Sequence, residues 1–180
     1  MVSILKTDKI QASHGSTIEI PNGNVLQAPG HVLQVTAGGT TSRITTTSTS
    51  YADIGVSASI TPSSTSSKVL IIVTGVMGNS AAGNRTTIIL KREDTEIGSG
   101  TGSSNNEFSS MLQEANSGYH YSGFGQTFLD SPSTTSATTY KIFMKAANAT
   151  AALGGRADNN DIGVPTRIVL MEIAQWVRLK

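Results

Sequence analysis

The sequence predicts an all-β protein: a jelly-roll-like antiparallel β-sandwich preceded by a short extended segment. Three observations predict it. Apolar residues recur with period two, not with the 3.6 of a helix, at 17–20, 54–60 and 140–145. The segments that carry them are separated by stretches of Ser, Thr, Gly and Pro, which make turns and interrupt helices. There is no cysteine among the 180 residues, so the fold rests on packing without disulfides or thiolate metal sites.

Residues 1–38 read as an N-terminal attachment and oligomerisation segment. Apolar residues, among them Ile4, Leu5, Ile10, Ile18, Ile20, Val25 and Leu26, are scattered between turn signals at 13–15, 21–23 and 29–30. Thr17, Ile18, Glu19 and Ile20 alternate like a short strand, and Asn22-Gly23 is a strong hairpin dipeptide. Pieces this short enclose no core and need another surface. Ala37, Gly38, Gly39 and Thr40 read as a hinge, after which residues 39–180 form the β-sandwich domain.

Within that domain Ile54, Val56, Ala58 and Ile60 alternate with small residues, as in a half-buried strand. Residues 68–74 form a continuous β-branched run suited to a central strand, and 86–91 repeat it. An aromatic strand is expected over 119–129. The next, at 140–145, puts Ile142 and Met144 on one face and Lys141, Phe143 and Lys145 on the other. Residues 167–174 are nearly all apolar. Residues 108–116 offer a helical alternative, but flanking glycines favour a strand. Two hydroxyl-rich stretches, 61–67 and 131–139, each carry a proline that ends one strand and lead into another. They read as corners where the chain changes sheet.

Charged residues make up 14%, against roughly 25% in an average globular protein, and the net charge is +1. No basic stripe points to nucleic acid. The longest apolar run, 69–73, falls far short of the ~20 residues of a membrane-spanning helix, and the opening residues lack the apolar core of a secretory signal. A sparsely charged, Ser/Thr-rich β protein suits close packing within an assembly.

No catalytic, cofactor or metal constellation stands out. His14, His31 and His120 share no ligand spacing. The glycines at 98–102 lack the Lys-Ser/Thr of a phosphate loop. Glu93, Asp94 and Glu96 follow a strand, where solvated turn charges are ordinary. Residues 158–163 imitate part of a calcium loop, but Ile162 and Val169 stand where ligands are needed. The candidate exposed contact loops are polar and Gly-rich: 78–85 with Asn79, Asn84 and Arg85; 98–106 with Ser103, Asn105 and Asn106; and 150–161 with Asp158 and Asn159. Tyr119, His120 and Tyr121 join them as groups able to stack on a sugar, with core or interface aromatics as the plainer alternative. Candidate oligomer contacts are Ile10, Ile18, Ile20, Val25, Leu26 and Trp176.

Seven stretches run in order along the chain: 4–11, 16–27, 47–55, 59–70, 129–132, 137–140 and 170–173. They include Ile18-Glu19-Ile20-Pro21-Asn22-Gly23, Thr61-Pro62-Ser63-Ser64, Asp130-Ser131-Pro132 and Met171-Glu172-Ile173. In these the chain resembles short tail-fibre or other virion-appendage proteins of marine and cyanobacterial tailed bacteriophages. Residues 175–180, with the single Trp176, depart from that pattern. The resemblance implies a virion location, attachment to a neighbouring virion protein through the N-terminal segment, and an exposed β domain, often trimeric. It implies a non-enzymatic role in contacting a host cell-surface glycan or protein. A capsid decoration or head-fibre protein is the alternative, and a glycan-degrading tailspike a minor one. No cofactor and no membrane insertion are expected.

Overall fold

The computed structural model describes residues 29–102, 107–112, 120–158, 160, 161 and 163–175. These form eleven strands and no helix. They are β1 (Val32–Thr40), β2 (Ile44–Thr46), β3 (Ala52–Ile60), β4 (Lys68–Asn79), β5 (Arg85–Arg92), β6 (Thr95–Ile97), β7 (Ser109–Leu112), β8 (His120–Asp130), β9 (Thr138–Ala146), β10 (Ala151–Leu153) and β11 (Thr166–Ile173). All pairings are antiparallel.

The larger sheet is ordered β1-β11-β4, with β8 on the far side of β4; β10 and β2 continue it beside the end of β4. The smaller is ordered β3-β9-β5, with β6 and β7 sharing the outer edge of β5. The chain crosses between sheets at β2 to β3, β3 to β4, β4 to β5, β7 to β8, β8 to β9 and β9 to β10, which is the weave of a jelly roll. Both Ser/Thr-Pro corners make such a crossing. Residues 61–67 carry the chain from the smaller sheet to the larger, and 131–137 carry it back.

The inner faces follow the alternation of the sequence. Val56, Ala58 and Ile60 of β3, Tyr140, Ile142 and Met144 of β9, and Val69, Ile71 and Val73 of β4 are all buried. Ile88, Leu90, Ile168, Leu170 and Leu153 belong to the same core, with Met77, Phe108, Ala146 and Ala151. At β3 the register slips between Asp53 and Val56. Gly55 takes a φ of 72° there, and its N–H is held by the Asp53 carboxylate at 2.8 Å. The bulge puts two extra residues into β3, which preserves the alternation, and Ile54 and Val56 both pack on the core.

The hinge expected at 37–40 is instead the end of β1, so the sandwich begins at Val32 and includes the last residues of the 1–38 segment. The glycines serve close approach, not flexibility. A Cβ on Gly38 would lie 1.9 Å from the Ser57 carbonyl oxygen, and one on Gly39 (φ 141°) would lie 2.2 Å from that of Thr166. Alternate side chains of β1 reach the opposite sheet in step. Gln34 Nε2 donates to Thr61 O (2.7 Å) and Thr36 Oγ1 to Ser59 O (2.9 Å), while bare Gly38 rests against Ser57 O. Side-chain donors thereby close the β1–β3 edge of the sandwich.

Candidate interaction surfaces

The strand ends define two poles. At one pole lie the 80–84 turn after β4, the 147–150 turn after β9 and the residues between β2 and β3. Hydrogen bonds stitch them together: Ser80 N to Thr150 O, Thr150 N to Ser80 Oγ, Ala146 N to Ser48 O and Ala147 N to Arg85 O. Arg85, exposed, pairs with Glu107 at 3.2 Å, which brings the end of the 98–107 loop to this pole.

Of the expected contact residues here, Arg85 is exposed and Asn84 half-buried. Asn79 is a correction: it is fully buried. Its Nδ2 donates to Thr86 Oγ1 and its Oδ1 accepts from Ala81 N, so it pins the turn and presents nothing outward. The polar side chain faces inward because Asn79 continues the inner row of β4 after Val73 and Met77.

His120 lies opposite Asn79 in the β4–β8 ladder and is half-buried; Tyr121 lies opposite Gly78 and is 45% exposed. Gly78 in turn sits beneath the backbone of 155–157, since a Cβ there would meet Gly155 O at 2.4 Å. Tyr121 and the 154–161 loop therefore border the same stretch of β4. In that loop Asp158 is gripped by Arg156 (2.9 and 2.6 Å), and Asn160 Oδ1 accepts from Arg43 Nε. Asp158 and Asn160, two of the groups that imitate a calcium loop, are thus engaged with arginines. Among the described residues no group of three His, Asp or Glu side chains is placed to hold a metal. Ser103, Asn105, Asn106, Tyr119, Asn159, Ile10, Ile18, Ile20, Val25, Leu26 and Trp176 lie outside the described residues.

The opposite pole receives the N-terminal segment, where Gly30 N donates to Ala174 O and Ala174 N to His31 O. Two buried carboxylates brace this end. Glu172 accepts from Ser63 N (2.8 Å), Ser63 Oγ (2.7 Å) and Ser67 Oγ (2.7 Å) at one oxygen and from Gln34 Nε2 (2.6 Å) at the other. Burial pushes its pKa up, but the bonds from Gln34, Ser63 and Ser67 outweigh burial and hold it below the ordinary carboxylate value. The same serines line a shallow cleft of about 20 Å³, enough for one water. Asp130 accepts from Arg92 at both oxygens (2.9 Å each) and from the Tyr140 hydroxyl (2.7 Å). Burial first, and that bond second, hold the Tyr140 phenol protonated far above its ordinary range. Glu93, from the acidic cluster, caps the backbone N–H of Thr139. Its carboxylate serves the β5–β6 turn.

The sheets differ on their outer faces. The smaller sheet carries Lys91, Lys141, Lys145, Ser57 and Ser59 outward, with Lys91 over the Phe143 ring (4.4 Å) and Lys145 over Tyr51 (4.5 Å). The middle of the larger sheet is mainly apolar outside. Register places Val35, Met171, Leu70 and Leu129 in one row across four strands, and Ala37, Val169 and Ile72 in the next, which Thr127 completes. Val35 is 56% and Leu129 54% exposed. Lys68 bounds this patch at one end and Arg167 at the other.

The sequence reading did not single out this face. Its signal was the unbroken apolar character of 69–73 and 168–171: strands apolar on both sides belong where both sides are covered. No protein-family model matches the chain, and no curated protein matches it.

Proposed function

We propose that the chain is a non-enzymatic structural subunit of a tailed-bacteriophage particle, a tail-fibre-like appendage. It attaches through its N-terminal segment and presents the jelly roll to the host surface. The jelly roll itself does not decide this, because capsid, lectin and enzyme domains share the architecture. The observation that carries the reading is polarity. The leader joins the sandwich beside Ala174 at one pole, while Arg85 and the turns stitched around Ser80 and Thr150 lie at the other. An attached base and a displayed tip fit an appendage. The framework stretches that resemble virion-appendage proteins add the particle context.

The subunit works as a homotrimer held by the first residues of the leader, where Ile4, Leu5 and Ile10 have no core of their own. The sparse charge fits a protein that spends its life packed in an assembly. Its contact tip comprises the polar turns around Asn84 and Arg85, with the Tyr121 ring and the 154–161 loop along one side.

Electron microscopy of particles labelled on this chain is the test. Label on the tail supports the reading. Label spread over the shell replaces the appendage by a capsid decoration, and absence of label from particles overturns both. Sedimentation of the purified full chain should give about three times the 18.7 kDa chain mass; a monomer at micromolar concentration refutes the trimer. Incubation with host polysaccharide should release no sugar.

A further inference from the structure

We draw no further inference here: the strongest candidate, the apolar outer face of the larger sheet around Val35, Met171, Leu70 and Leu129, carries none because nothing in the structure shows what covers it.

Discussion

Replacing Glu172 by glutamine keeps the side-chain volume and exchanges one oxygen for an amide nitrogen. Three donors converge on one carboxylate oxygen, from Ser63 N, Ser63 Oγ and Ser67 Oγ, and Gln34 Nε2 donates to the other. In the better orientation the new amide opposes only Gln34. Gln34 has no cheap escape, because its Nε2 also donates to Thr61 O and turning it over breaks that bond. One charge-assisted bond in a buried site is lost, at a cost of about 1.5–3 kcal/mol. For a chain of this length that lowers Tm by roughly 3–12 °C. The acid response provides a second readout. The folded-state pKa of Glu172 is held below its ordinary 4.5, so the unfolded chain takes up this proton more readily than the folded one. The stability it contributes is complete above that value and is lost as pH falls toward the folded-state pKa. Glutamine has no such dependence. Urea unfolding of wild type and Glu172→Gln should therefore show a gap that is widest near neutrality and narrows below pH 4.5. A gap under ~0.5 kcal/mol at neutral pH, or one that widens in acid, would refute the reasoning.

Asp130→Asn strips the charge that Arg92 and Tyr140 share, and urea unfolding should show a loss of about 3 kcal/mol, against under 1 kcal/mol for removing the Arg85–Glu107 pair, whose arginine is exposed. Tyr140 has a raised pKa, so its stabilising effect is complete below the ordinary 10.0 and fades as pH rises above it; in an ultraviolet titration to pH ~12, the part of the signal lost in Tyr140→Phe should ionise only in urea. Gly38→Ala forces a Cβ into the Ser57 carbonyl and should destabilise by more than ~3 kcal/mol or prevent folding, whereas Gly123→Ala, whose nearest neighbour is 3.9 Å away, should cost under ~1 kcal/mol. Equal thermal shifts for the two glycine variants would contradict close approach at the β1–β3 edge.

Much of this molecule was legible along the chain. Alternation marked β3 and β9 with their buried sides, because period two leaves a strand only one choice of face. The Ser/Thr-Pro corners marked the sheet changes, because proline ends a ladder. What the chain order did not reveal depends on groups brought together from far apart. A glycine pair reads as a hinge until Ser57 and Thr166 are seen pressed against it. Asn79 reads as an exposed loop residue until its inner-face parity in β4 buries it. Glu172, in an apolar strand, finds its donors over a hundred residues away in Ser63 and Ser67, and 138 residues away in Gln34. The apolar outer face needs four strands in register before Val35, Met171, Leu70 and Leu129 become one surface. Local pattern determines which side of a strand is apolar; only the packed sheets decide which of those sides still lacks a partner.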